Sequence, residues 1–459
     1  MKRTICKVLA SALVAASMGT LTSCQEEDLS QSTPMTVKQI YLENASSATT
    51  NHDRAVDFAR LGQLIRIEGA GFTGLKHIYI NGYDTYFNNA LLTDNNVWVT
   101  LNSKTPVVDA DPAERNTIRL TKDETETVYT FTIRAASPYV SGVDNTLPYA
   151  GETVTVSGGN LQETSTVTLP GDIVVTDIIN DPTGEGEWYS FVMPEGVEQS
   201  GHIYSSGANG DACTPDYFNC RQGLIIDFDG TGNQGYWSWS ETGSMCDDTD
   251  LVTDPLSTGR GNVAMLVPQR LLEAGVIAGK SRAAEWWTAG NGNDADDWTH
   301  FTVDDYIPAT TPLEELAIQF DIYCPQPWYG TGQMQLTIQN NVSFNGYGSD
   351  ESKSSTTQTY VWVPWLESGE AFQTESWQTI SIALSDFSKY ANAIADGGAP
   401  TFQSVIDDRA AASYCNCGFG FVNTDISDDF PAQLFSLPIY IDNLRVVPNK
   451  SVTISDFDD

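Results

Sequence analysis

Cations are scarce in this chain: 23 Lys and Arg stand against 60 Asp and Glu, for a net charge of −37. Nucleic-acid binding draws on clustered Lys and Arg that release counterions from phosphates, so that function is excluded. Histidine is scarcer still. His52, His77, His202 and His300 show neither His-x-x-x-His nor His-Glu-x-x-His spacing, so a zinc hydrolase has no visible ligands. No Gly-x-Ser-x-Gly nucleophile elbow occurs. Beyond the N-terminus no apolar run approaches the ~20 residues of a transmembrane helix. Helical periodicity is limited to a turn or two near Arg270-Leu271-Leu272-Glu273. Aromatics, by contrast, are plentiful, with 11 Trp, 19 Tyr and 18 Phe, enough to build a core and to argue against disorder.

The N-terminus reads as an export signal. Lys2, Arg3 and Lys7 precede a nearly uncharged stretch from Val8 to Met18, and Leu21-Thr22-Ser23-Cys24 closes it. An apolar run that stops at a cysteine resembles the lipobox of bacterial lipoproteins. That resemblance implies acyl chains on Cys24, and several chains hold a protein firmly on a membrane. Gln25-Glu26-Glu27-Asp28 then resembles the acidic export signal of surface lipoproteins in Bacteroidetes, which implies a surface-exposed place on the outer membrane. Loss of the signal removes three cations and no acid, leaving 20 basic and 60 acidic residues and a net charge of −40.

Without Cys6 and Cys24, six cysteines remain: Cys213, Cys220, Cys246, Cys324, Cys415 and Cys417. Outside the cytoplasm they can pair in fifteen ways or stay as buried thiols, and the spacing does not choose. Cys415-Asn-Cys417 lacks zinc-knuckle spacing. Gly230-x-Gly232-x-x-Gly235 is followed by strand-like Tyr236 to Ser240 where a dinucleotide site needs a helix. Gly275 to Ser281 is one residue short of a P-loop.

Period-2 alternation dominates. Tyr129, Phe131 and Ile133 alternate with Val128, Thr130, Thr132 and Arg134; Leu316 to Tyr323 and Gln333 to Gln339 alternate likewise. Short strands broken by Gly, Asn and Asp at about ten-residue spacing indicate β-sandwiches. Leu64 to Phe72, with its Gly69-Ala70-Gly71-Phe72, followed by Ile78-Tyr79-Ile80-Asn81-Gly82, resembles the immunoglobulin-like IPT/TIG domain. Thr153 to Leu161 repeats the pattern, with Asn160-Leu161 in place of Gly-Phe. Ser137-Pro138 between the two reads as a joint. The expected fold is all-β, with two tandem immunoglobulin-like sandwiches and then a larger jelly-roll-like sandwich. Its divisions are a signal peptide (1–23), a tether (24–35), Ig-like domains (36–135 and 136–222), a larger C-terminal domain (223–450) and an acidic tail (451–459).

Nine of the eleven tryptophans lie beyond Gly223. A pyranose presents C–H groups to an aromatic face and hydroxyls at its edge. Burying that face contributes roughly 1–2 kcal/mol per ring at about 25 cal/mol per Å². Trp286-Trp287 and Trp298 stand among Gly, Asn and Asp, and Trp328-Tyr329 stands among prolines and Gly330. That company says surface loop, so these five are candidate sugar platforms. In Tyr360 to Trp365 alternation places Trp362 opposite Trp365, making Trp365 core and Trp362 a sixth candidate. Trp237, Trp239 and Trp377 read as packing.

Ile439-Tyr440-Ile441-Asp442-Asn443-Leu444-Arg445-Val446 resembles the last strand of jelly-roll carbohydrate-binding modules, and Gly223 to Gly230 resembles their opening. Several modules of that type hold a structural calcium ion through acids at these two strands, so the resemblance implies Asp227, Asp229 and Asp442 as oxygen ligands, with plain solvated carboxylates as the simpler reading. Together these features resemble a Bacteroidetes surface glycan-binding protein of the polysaccharide-utilisation type, closest to the xyloglucan-binding kind. The resemblance implies non-catalytic capture of a polysaccharide, β-glucan or xyloglucan, beside an outer-membrane glycan importer, with no cofactor and with the Ig-like domains as a semi-rigid spacer. Two rivals stand beside it. A glycoside hydrolase needs only two carboxylates about 5–10 Å apart among the many acids, and an adhesive surface protein would keep its aromatics buried.

Overall fold

The computed structural model describes residues 31–43, 53–214, 218–229, 251–266, 285–288, 299, 306–339, 355–412 and 416–449. Cys24 and the export signal, Trp298, Cys246 and Cys415, the two glycine motifs, the Arg270 turn and the acidic tail lie outside these residues. The chain divides into two compact units, one built on residues up to Pro138 and one on most of the chain from Tyr139.

The first unit has two four-stranded antiparallel sheets. One orders Asp53–Ala55, Thr36–Glu43, Leu64–Ala70 and Asn96–Thr100; the other orders Tyr83–Thr85, His77–Ile80, Thr117–Thr121 and Glu126–Thr130. Ile40, Ile65, Ile67 and Val97 from the first sheet and Ile78, Ile80, Ile118 and Leu120 from the second are fully buried. The alternation expected over Val128 to Arg134 holds, but the chain changes partner at Phe131. Thr132–Arg134 pairs in parallel with Phe58–Arg60.

The repeated glycine motif has one physical cause in both sandwiches. A Cβ on Gly69 would lie 1.9 Å from the Thr36 carbonyl oxygen, and one on Gly158 would lie 1.9 Å from that of Tyr139. Each glycine faces a bulge, after Val37 and after Val140 respectively, where the first strand presses onto its neighbour. Two residues on, Gly71 and Asn160 both take the left-handed region, at φ +78° and +57°. Asn is the side chain that tolerates it best, so Asn160 can stand where the first copy has Gly. Phe72 and Leu161 then enter the two cores.

The second unit begins with another sandwich. Its sheets order Tyr139–Val143, Thr153–Gly159, Trp188–Val192 and Ile178–Asn180, and Ile173–Val175, Thr164–Leu169, Tyr204–Gly207 and Gly210–Cys213. Val154, Val156, Val167, Tyr189, Phe191 and Phe218 fill it. The C-terminal sandwich follows. Its larger sheet orders Leu251–Thr253, Asn262–Leu266, Ile439–Pro448, Leu316–Tyr323 and Gln378–Ala383, with Leu224–Ile226 also paired to Ile439–Pro448. Its smaller sheet orders Glu285–Trp287, Gly418–Val422, Gln333–Thr337 and Thr359–Trp362. The core between them takes Ile318, Phe320 and Ile322 from one side and Met334, Leu336, Phe419 and Phe421 from the other. The fold is the expected nearly all-β one. Besides the short helix Pro364–Ser368, two helices, Ser388–Ala395 and Phe402–Ala411, were not foreseen. Each is three turns or fewer, too short for its periodicity to stand out, and the second is started by a Thr401/Ser404 capping box.

The polar face of the larger sheet is buried as completely as its apolar one. Gln319 and Asp321 alternate with the core residues, yet both are fully buried. Thr146 of the preceding sandwich covers them: its hydroxyl donates to Gln319 Oε1 at 2.9 Å and accepts from Arg445 at 3.0 Å. Arg260 donates to both carboxylate oxygens of Glu152, at 2.9 and 3.0 Å, and to Asp321 at 2.8 Å. Its guanidinium lies 5.1 Å from the Tyr149 ring centre and 4.7 Å from that of Trp377. Asp442 is therefore neither solvated nor open to a cation, since it sits fully buried 3.4 Å from Arg260. Asp227 and Asp229 are used locally: Asp227 accepts from the Asp229 N–H at 3.0 Å, and Asp229 from that of Asn262 at 2.9 Å.

Burial sets the cysteine chemistry as well. Cys220, Cys324 and Cys417 are free thiols inside the second unit. Desolvation pushes Cys324 up to about 11 and Cys417 up to about 12, which keeps both protonated and inert at neutral pH.

Candidate functional site

The candidate platforms separate sharply once their strands are placed. Trp286 belongs to a strand and not to a surface loop, pairing with Phe419 across the smaller sheet. Its ring meets Phe228 edge-on at 4.8 Å inside the core. Trp362 pairs with Met334 and points the same way, 5.7 Å from Phe320. The alternation therefore runs opposite to expectation. Trp365 is core as well, because the strand ends at Trp362 and the helix Pro364–Ser368 turns the next indole back inward. Trp328 does lie in a loop, but it is 0% exposed. Its backbone exchanges two hydrogen bonds with Phe372, and its indole N–H donates to Thr331 O at 2.7 Å. Four rings, Trp362, Phe372, Phe421 and Phe435, surround it. Trp286, Trp328 and Trp362 thus offer no face to a polysaccharide. Proline, glycine and asparagine around an indole mark a chain reversal, and this loop reverses over the open end of a sandwich that needs a plug.

Trp287 points the other way, onto the face of the smaller sheet remote from the core. A Cβ on Gly418 would lie 2.4 Å from its indole, so the ring rests on that glycine. Gln333, Gln335 and Thr337 stand on the same face, with Gln333 Nε2 donating to Thr424 at 2.9 Å. Trp287 is buried too, and this face is not an open platform.

Tyr329 alone of the described candidates is open to solvent, at 50% exposure. Its ring is seated 5.4 Å from Trp365 and 6.2 Å from Phe430, and those two rings lie 5.1 Å apart. The turn beneath it needs left-handed backbone at Gly330 and Gly332, at φ +78° and +75°. At Gly332 a Cβ would meet Phe421 at 2.7 Å. Thr331 ties this turn to the loop 423–435: its hydroxyl donates to Asn423 Oδ1 at 2.8 Å and accepts from the Gln433 N–H at 2.9 Å. Asn423 donates to Gln433 O at 2.6 Å, and Asp425 accepts from the Ala432 N–H at 2.7 Å. The loop presents Asp425, Asp428, Asp429, Gln433 and Leu434 to solvent.

A ring fixed on two others, beside carboxylate and amide acceptors, suits a ligand with an apolar face and hydroxyl edges. The acids disfavour an anionic one. Phe430, Gln433 and Leu434 were not singled out from the sequence, although Asp428-Asp429-Phe430-Pro431 has the composition that drew attention to the tryptophans.

Comparison with known proteins bears on the sandwich that carries Tyr329. The family model of the surface glycan-binding protein B xyloglucan binding domain matches residues 218–448, half of the chain. An IPT/TIG domain-containing protein of Bacteroides ovatus is 28% identical over 229 residues, 49% of this chain and 42% of that relative. The chain thus spans less than half the length of the curated relative it matches. The crystal structure of surface glycan-binding protein PbSGBP-B from Prevotella bryantii covers 92% of this chain and 100% of its own, at 20% identity and a TM-score of 0.59, a likeness of fold. By the half of its length that the family model matches, the chain belongs to the family of the surface glycan-binding protein B xyloglucan binding domain.

Proposed function

We propose that this chain captures an uncharged β-linked glucan, xyloglucan in the first instance, at the cell surface and without cleaving it. The observation that carries the reading is Tyr329, an exposed aromatic face fixed on Trp365 and Phe430 within the family-matched sandwich. A single sugar stacked on one ring contributes roughly 1–2 kcal/mol. Weak sites suffice when the protein is tethered where the polymer is imported, because tethering raises the local concentration. The acidic loop beside the ring accepts hydroxyl protons and repels anionic polymers.

Affinity electrophoresis of the soluble chain from Gln25 onward tests this reading, in gels containing xyloglucan, barley β-glucan, mannan, xylan or starch. Xyloglucan or β-glucan is expected to retard the wild type. Tyr329→Ala is expected to weaken that binding about 5- to 30-fold, the equivalent of about 1–2 kcal/mol, with an unchanged melting temperature. Equal retardation of the variant would sink the Tyr329 site. No retardation of the wild type, or release of reducing ends from the polymer, would sink non-catalytic capture.

The anchor belongs to the same proposal. Acylation at Cys24 places the protein on the outer face of the outer membrane, beside the importer. Cys24→Ala is expected to shift the protein from the membrane fraction to the soluble one, and an unchanged distribution would remove the lipid from the account.

A further inference from the structure

The first sandwich carries an exposed aromatic site that the function above does not use. Phe87 bridges to Val99, which lays the segment 86–91 along the edge strand Asn96–Thr100. Between them opens a groove of about 270 Å³, whose walls include Leu64, Tyr86, Leu91, Trp98 and Thr100. Tyr86 is 84% exposed, more than any other aromatic of the described residues, and Leu91 is 53% exposed. Trp98 stands half-buried in register with Arg66, whose guanidinium lies over the Tyr41 ring at 4.0 Å. On the far side of Tyr86 a second cleft is polar, lined by Lys76, His77, Asp84 and Asn89 among others. Tyr86 is thus a ridge between an apolar groove and a hydrogen-bonding one.

We propose that this ridge is a second glycan-binding site, which takes a short stretch of an uncharged polysaccharide independently of Tyr329. Three observations choose that occupant. The apolar groove has no ionic lining, so a charged ligand finds no partner there. The chain carries a net charge of −37, which opposes a second copy of itself on an uncharged patch. At the rim stand an amide and a hydroxyl. Asn88 Oδ1 is committed to the Ala90 N–H at 3.0 Å, so Nδ2 is what that side chain offers a ligand, with Thr100 across the groove. Aromatic faces with such a rim match the alternating C–H and hydroxyl surfaces of a sugar chain. The volume lies just below the ~300–1,000 Å³ of pockets that enclose a whole small ligand, which suits part of a polymer. The inference rests on the glucan-capture reading, and two sites on one chain would hold a polymer more tightly than either does alone.

The test uses the soluble chain from Gln25 onward in xyloglucan and barley β-glucan gels, as wild type, Tyr86→Ala, Tyr329→Ala and the double variant. Tyr86→Ala is expected to weaken polymer binding about 3- to 10-fold. Tyr329→Ala is expected to keep a residual retardation that the double variant loses. Tyr86 is so exposed that its truncation leaves the fold intact, which thermal melting checks. Polymer binding by Tyr86→Ala equal to wild type overturns the second site and leaves Tyr329 standing. Binding lost with Tyr86 but not with Tyr329 supports the second site and overturns the first. A concentration-dependent dimer in sedimentation, absent from Tyr86→Ala, makes the groove a self-association face and overturns the proposal. A wild type that binds neither polymer overturns both sites.

Discussion

Arg260→Ala should lower the stability of the second unit by about 3–5 kcal/mol, because it strands buried carboxylates. Arg260 is fully buried and ion-paired with Glu152 at 2.9 Å and with Asp321 at 2.8 Å. Glu152 belongs to the second sandwich and Asp321 to the sheet of the third, so one guanidinium joins the two. Arg445 repeats the arrangement 2.9 Å from Asp321, with Thr146 as its partner from the second sandwich. Removing a surface ion pair would change little. Here the carboxylates left behind are buried away from bulk solvent. Urea unfolding followed by tryptophan fluorescence measures the loss, read as the midpoint of this unit's transition. An unshifted midpoint would mean that the second and third sandwiches are held by their apolar contacts alone.

The same network has a pH signature, because two guanidiniums face three carboxylates. Burial and the neighbouring Asp321 push Asp442 well above the ordinary carboxylate range, against the pull of Arg260. Burial opposes ionisation of Asp321 as well, but Arg445 and Arg260 outweigh it and hold that group low. The signs therefore differ. Asp442 contributes stability that is full below its unfolded value of about 3.9 and fades as pH rises through its folded value. Asp321 contributes stability that is present above about 3.9 and is lost as pH falls through its folded value. Asp442→Asn mimics the protonated state. Its melting temperature relative to wild type should rise as pH is raised above about 4; a flat or falling difference would mean that Asp442 is ionised throughout.

The interface was not legible in the sequence for a definite reason. Alternation in Leu316 to Tyr323 shows that Gln319 and Asp321 share a face, but not whether water or protein covers it. What covers that face, Thr146 directly on Gln319 and Glu152 through Arg260, lies more than 150 residues away from it in another sandwich. The glycine repeat was legible because a backbone clash leaves its mark within a few residues. Gly69 and Gly158 answer to the same carbonyl approach, and Asn160 shows which substitution the left-handed position accepts. Composition misled at the tryptophans. Trp286 and Trp287 sit beside Gly, Asn and Asp, yet strand pairing with Phe419 and Gly418 decides their burial. The loop Ser427 to Leu434 went unnoticed because it holds a Phe and a Leu where an indole was sought.

Trp328 and Tyr329 are adjacent in sequence and should fail in opposite ways. Trp328→Ala removes the side chain that plugs the end of the C-terminal sandwich among Trp362, Phe372, Phe421 and Phe435. A buried aromatic truncated to Ala costs about 3–5 kcal/mol, the lost transfer free energy plus that of the cavity. The melting temperature of the second unit should fall by several degrees, by the proportion of about 2–4 °C per kcal/mol for a domain of this class. Tyr329→Ala removes an exposed ring and should leave melting unchanged while glucan binding weakens. Trp328→Phe separates the two roles. It keeps most of the packing but loses the indole N–H that donates to Thr331 O at 2.7 Å. That bond holds the turn on which Tyr329 stands, and Thr331 also ties the turn to Gln433. Trp328→Phe should therefore lose about 1 kcal/mol of stability, and glucan binding should weaken more than that stability loss accounts for. Full binding in Trp328→Phe would show that Trp365 and Phe430 position Tyr329 without the turn. Full stability in Trp328→Ala would return Trp328 to the surface as a platform.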